Sequence, residues 1–142
     1  MEDAGSAITS RLKLRDEYTD ELREYRSRAI SLAVYTETKM LRRSVERCLQ
    51  VAVEVCLDIG RRLIAMEGFR YQQDDQDVFK VLAEEKVVSA LLLIGLQDFA
   101  RFRNLIVHDY AKIDDARVYQ LLKTRLDDFD AFADAVGAYL KD

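Results

Sequence analysis

The chain has 142 residues, 49% of them hydrophobic and 34% charged, with five glycines and no proline. That profile is globular with no sign of disorder, and the scarcity of turn residues weighs against sandwiches and barrels. A net charge of −4 and a pI near 5.1 argue against broad, non-specific binding of nucleic acid while leaving room for a local basic cleft.

The length predicts one helical domain over residues 1–142. A first helix is expected from about Ala7 to Ala29, with Ile8, Leu12, Leu14, Tyr18, Leu22 and Tyr25 as its apolar stripe. Ser31 to Tyr35 reads as a turn, after which Thr36 caps a second helix that carries Glu37 in its first turn. That helix runs to about Met66, with Gly68 just past its end. Its middle, from Cys48 to Ile59, is apolar on nearly every side, so it needs cover all round. Glu54 and Asp58 interrupt it at a spacing that puts both carboxylates on one face. A polar loop from Tyr71 to Asp75 leads to a short third helix capped by Asp74 or Asp75, through Val78, Phe79, Val81 and Leu82. A fourth helix spans about Ser89 to His108, and the apolar run Ala90–Leu96 at its start predicts a second copy of the chain as cover. A fifth begins at Asp114 or Asp115 and continues through Val118, Leu122, Leu126, Phe129, Ala133, Val136 and Leu140. The expected architecture is all-α, an antiparallel bundle of about five helices that pairs as a homodimer.

Several kinds of chemistry are missing. Cys48 and Cys56 lie eight apart in an apolar segment, which suggests neither a disulfide framework nor a zinc site and fits a reducing cytoplasm. The opening residues, Met1 to Ser6, are acidic and lack the basic and apolar regions of a signal peptide. The longest apolar run, Val87–Leu96, is about half the ~20 residues that span a bilayer. His108 is the only histidine, so HExxH and zinc-finger sites are impossible, and no phosphate loop or nucleophile elbow occurs. Asp74, Asp75 and Asp77 lack the glycine and closing glutamate of a calcium loop, and helix capping is their simpler role.

His108 itself can exchange a proton near neutral pH, as attack of an RNA 2′-hydroxyl on its phosphodiester requires. Arg103 can stabilise the charge that builds on the phosphate oxygens, so the pair could cleave RNA without metal. Residues five apart on a regular helix point about 140° away from each other, so the two converge only if the helix distorts or a second subunit supplies one of them. Arg103 and Tyr110, seven apart, share a face in a continuous helix, as do Arg101 and His108. The same residues also fit a structural account: a histidine that complements a helix dipole, an arginine in a salt bridge and a tyrosine closing the end of the bundle.

The stretch Arg103-Asn104-Leu105-Ile106-Val107-His108-Asp109-Tyr110, preceded by Phe102, resembles the RX4HXY signature of HepT-type HEPN toxins. The segment Val45–Ile59 resembles that family's second helix, and Asp77-Val78-Phe79, Ile113-Asp114 and Val118-Tyr119 fall where the family has similar residues. The likeness spans roughly residues 40–140. It departs from the family at Arg70-Tyr71-Gln72-Gln73, where a proline is frequent in relatives. The resemblance implies a dimeric RNase toxin with no cofactor or metal, in which Arg103 stabilises phosphate, His108 transfers protons and Asn104 helps orient the site. It further implies that Tyr110 receives AMP from a cognate minimal nucleotidyltransferase, which neutralises the toxin. Asp109 receives no role. Arg42, Arg43, Arg47, Arg101 and Arg103 are the candidate RNA-binding cations, with salt bridging to Glu46 the alternative for the first three. Two rival readings are a non-catalytic accessory subunit of a nucleotidyltransferase and a purely structural bundle that binds protein partners.

Overall fold

The computed structural model of the protein describes residues 3–141; Met1 and Glu2, part of the acidic start noted above, and Asp142 lie outside them. Over the described residues the chain is all-α, as expected. Helix α1 (Ala4–Arg28) starts where the Asp3 carboxylate accepts the Ser6 N–H at 2.7 Å, satisfying one orphan donor of the first turn. It lies antiparallel along α3 (Lys39–Glu67): Cys48 Sγ donates to the Tyr18 carbonyl at 3.4 Å near one end, and Arg11 pairs with Asp58 near the other.

The apolar stripe of α1 departs from expectation at one position. Leu14 is exposed, whereas the neighbouring Arg15 is buried. Arg15 turns inward because Asp130 waits there at 2.8 Å, and Thr19 closes the pair from the next turn. Arg23 also reaches Asp130, so two arginines of α1 fasten one carboxylate on the last helix.

Between α1 and α3 the expected turn is a short helix, α2 (Leu32–Glu37), capped by the Ser31 hydroxyl, which accepts from the Val34 N–H at 3.1 Å. Thr36 sits inside this helix and caps nothing. Ser31 wins because its extended backbone aims its oxygen at the free amides of the next turn, a geometry denied to a residue already in the helix. α3 ends as predicted, with Gly68 left-handed at φ 68°. Its apolar middle is covered within the chain, by α1 on one side and by later helices on the others.

Asp74 caps α4 (Asp75–Glu84), accepting from the Asp77 N–H at 2.8 Å. The approach is fastened by Arg70, which donates to both oxygens of Asp77 at 2.7 and 3.0 Å and also to Glu84. Those bonds hold the Asp77 carboxyl well below its usual range, at about 2. No proline is needed to fix this loop.

Helix α5 (Ala90–His108) begins at Ser89, whose hydroxyl accepts from the Leu92 N–H at 3.0 Å, and runs unbroken to His108. It passes so close to the last helix that a side chain at Gly95 would collide with the Asp128 carboxylate. A single 3₁₀ turn, Tyr110–Lys112, follows. The expected fifth helix is two, α6 (Asp115–Thr124), capped by Asp114, and α7 (Asp127–Lys141). The apolar stripe continues across the break, with Val118, Leu122, Leu126, Phe129 and Val136 all buried. Arg125 leaves helical geometry at φ −122° and ψ 3°, and three aspartates load the start of α7, where negative charge is favourable. The described residues therefore form seven α-helices rather than about five. Among them, no helix is long and apolar enough to cross a membrane.

Candidate active site

α5 carries most of the candidate residues and splits them between two faces. Arg103 points inward, toward α3 and α4. Its Nη1 donates to Asp75 Oδ2 at 2.7 Å and to Asn104 Oδ1 at 3.2 Å, and its Nε donates to Glu54 Oε1 at 3.4 Å. Nη2 has no hydrogen bond among the described residues, which leaves one edge of the guanidinium for an anion. Asp75 is shared, since Arg61 donates to its other oxygen at 2.9 Å. Thus the aspartate expected as one of two capping candidates holds the arginine, while Asp74 does the capping.

His108 points outward. It is exposed in the last turn of α5 and forms no hydrogen bond or ion pair among the described residues. Because α5 stays regular from Arg103 to His108, the two side chains do not converge within one chain. The helix stops one residue later at Asp109, whose N–H donates to the Leu105 carbonyl at 2.9 Å.

The 3₁₀ turn then swings Tyr110 back onto α3. Its hydroxyl donates to Glu46 Oε1 at 2.6 Å, and that bond holds the phenol above its usual range, with burial a smaller cause. Arg103 and Tyr110 both meet α3, but Tyr110 lies past the end of α5 and reaches it through the 3₁₀ turn rather than by sharing a helix face with Arg103. They do so eight residues apart, at Glu54 and Glu46, a separation of about 12 Å along the α3 axis. Sequence reasoning did not find the Glu46–Tyr110 contact, which joins residues 64 apart in the chain. The available signal was an acidic residue at a core-facing position of an apolar helix.

The five candidate RNA-binding arginines have separate fates. Arg42 bonds to the Thr36 carbonyl and lies 3.7 Å from Asp115. Arg101 pairs with Asp98 at 2.6 Å. Arg103 is held as described above. Arg43 and Arg47 are exposed on α3, with no ion pair among the described residues. None of Arg42, Arg43 and Arg47 takes Glu46, which accepts instead from the Tyr110 hydroxyl.

The outer face of α5 forms one continuous stripe. Leu91, 79% exposed, and Ile94, 55% exposed, open it, and Asp98, Arg101, Leu105 and His108 follow at helical spacing. Arg101 and Leu105 border a pocket of about 210 Å³ floored by Phe102, Val118 and Leu121. Elsewhere the thiols of Cys48 and Cys56 are free and buried, and burial pushes both up to about 12, so neither is a nucleophile at neutral pH.

Comparison with known proteins adds family information. The model of the ribonuclease HepT-like family matches residues 15–136. The chain is 30% identical over 98 residues to an mRNA nuclease HepT of Shewanella oneidensis, covering 69% of this chain and 74% of that protein. It is 23% identical over 133 residues to a tRNA nuclease HepT of Aphanizomenon flos-aquae, covering 94% and 89% respectively. Its fold is similar to that of a tri-AMPylated HEPN toxin of Shewanella oneidensis solved in complex with an MNT antitoxin. That match has a TM-score of 0.85 at 23% identity and covers 97% of this chain and 99% of the other.

Proposed function

The chain belongs to the ribonuclease HepT-like family, and on that premise we propose that it is the RNA-cleaving toxin of a toxin–antitoxin pair, acting as a homodimer. The observation that carries the dimeric site is the division of α5. Arg103 and His108 stand on different faces of a regular helix, so a site that uses both needs a second copy of the chain. The exposed Leu91 and Ile94, on the same stripe as His108, support that face as the one a second copy covers. The domain is a single HEPN-like unit over residues 1–142, and it works in the cytoplasm.

In the proposed reaction an RNA 2′-hydroxyl attacks the adjacent phosphorus, the bond to the 5′-oxygen breaks, and a 2′,3′-cyclic phosphate remains. The His108 of one chain takes the hydroxyl proton and delivers it to the leaving oxygen beside the partner's Arg103, so each dimer holds two such sites. Arg103 meets the phosphate with its free Nη2 edge, and Asn104 and Asp75 hold the guanidinium in place. DNA lacks the attacking hydroxyl and is not cut. The exposed Arg43 and Arg47 are suited to hold the RNA backbone. Tyr110 is the residue that a cognate minimal nucleotidyltransferase modifies with AMP, adding negative charge and bulk where RNA phosphate must dock.

Proton transfer and charge stabilisation come from side chains alone, so RNA cleavage by the purified protein should persist in excess EDTA at its untreated rate. Loss of cleavage on chelation, restored by added divalent metal, would contradict the mechanism. One observation favours the non-catalytic accessory reading: the carboxylates around Arg103 already give it a structural role. Growth arrest on expression of the wild-type chain separates the two, since an accessory subunit causes none.

A further inference from the structure

Glu46 has no structural reason to be a carboxylate. It is 5% exposed on α3, and although Arg42, Arg43 and Arg47 flank it on the same helix, it forms no ion pair among the described residues. Burying such a group without a cation is costly, and most helices avoid it. Its hydrogen-bond partner is the Tyr110 hydroxyl at 2.6 Å, delivered by the 3₁₀ turn that ends α5. Tyr110 is by contrast 54% exposed, which leaves the residue open to a reactant on the side away from Glu46.

We propose that Glu46 is the general base that activates Tyr110 for nucleotidyl transfer, and that Arg43 holds the phosphates of the incoming nucleotide beside it. The proposal rests on the reading of Tyr110 as the AMP acceptor and assigns the groups on this chain that make it one. A neutral phenol, with a reference value of about 10, is a weak nucleophile at pH 7. As the Tyr110 oxygen bonds to the α-phosphorus of ATP, the bond from that phosphorus to the bridging β-phosphate oxygen breaks and pyrophosphate leaves. The phenolic proton passes to Glu46 along the hydrogen bond already in place, so no rearrangement precedes the step.

Two further observations converge on the same point. Arg43, one turn before Glu46 on α3, is exposed and unpaired among the described residues, and its charge is felt at Tyr110. A guanidinium there can meet the entering triphosphate and later offset the charge of the tyrosyl phosphodiester. Within electrostatic reach of the carboxylate lies Tyr35, fully buried, whose hydroxyl has no hydrogen-bond partner among the described residues. Burial first, then the charge of Glu46, hold that phenol protonated. Asp115 on α6 is the other charged group acting on both phenols.

The test incubates the full chain with its cognate minimal nucleotidyltransferase, ATP and Mg²⁺, and follows AMP addition by intact mass. Wild type is compared with Glu46→Gln, Glu46→Asp and Tyr110→Phe, each first shown to have the wild-type circular dichroism and melting profile. Glutamine keeps an oxygen that can accept the Tyr110 hydrogen bond but cannot take its proton. The initial rate for Glu46→Gln should fall about 100-fold or more at pH 7 and climb about tenfold per pH unit as the phenol ionises without help, with Glu46→Asp recovering part of the loss. Transfer to Glu46→Gln within about twofold of wild type across that pH range would overturn the proposal. Transfer that persists in Tyr110→Phe would instead overturn the choice of acceptor, whatever Glu46→Gln does.

Discussion

Arg103→Ala and His108→Ala should each lower RNA cleavage by about 10²–10⁴-fold at neutral pH while leaving the protein folded, and each should abolish growth arrest on expression. The expectation of an intact fold follows from what each side chain leaves behind. His108 is exposed and bonds to nothing among the described residues, so truncating it orphans no partner. Removing Arg103 leaves Asp75 paired with Arg61 at 2.9 Å and Glu54 still accepting from Gln50 at 3.0 Å. Neither carboxylate is stranded, so the destabilisation stays small while the charge that meets the phosphate is lost. Lysine at position 103 should be a poor substitute, because an ammonium cannot grip Asp75 and Glu54 through one planar fork and still present an edge to phosphate. Cleavage of a labelled RNA by the purified variants measures the effect. Activity within about tenfold of wild type in either alanine variant would remove that residue from the mechanism.

The second large effect is on stability. Phe99→Ala should lower the free energy of unfolding in urea by about 3–5 kcal/mol, from a total that for such domains is about 5–15 kcal/mol. Phe99 is buried at the middle of α5 and packs on Phe129 of α7 with ring centroids 4.5 Å apart. Truncation removes the aromatic contact and leaves a cavity between two long helices whose close approach at Gly95 restricts their collapse. The loss also loosens the helix that aims Arg103 inward and His108 outward. A loss below about 1 kcal/mol would mean that α5 and α7 are not the joined unit described here.

Much of the fold is written locally. Gly68 ends α3 where the sequence put it, and Asp74 and Asp114, each one of two candidates, cap their helices, because a helix end depends on residues only a few positions away. The features that sequence reasoning lost depend on distant partners. Arg15 displaces Leu14 from the inward face of α1 because Asp130, 115 residues later, receives it. The break at Arg125 preserves the apolar stripe and contains neither glycine nor proline, so periodicity alone runs straight through it. At the candidate site, the angular separation of Arg103 and His108 was legible because a regular helix fixes it. The carboxylates that hold Arg103 and Tyr110 were not, since each comes from a helix far away in sequence.

The cleavage site is proposed to be composite, and mixing two inactive proteins tests that most directly. Arg103→Ala and His108→Ala chains, combined under conditions that exchange subunits, should regain about a quarter of wild-type cleavage, since half the dimers are mixed and each then carries one intact site of two. Cleavage that stays at the level of the separate variants, with mixed dimers shown to form, would contradict a site shared between chains.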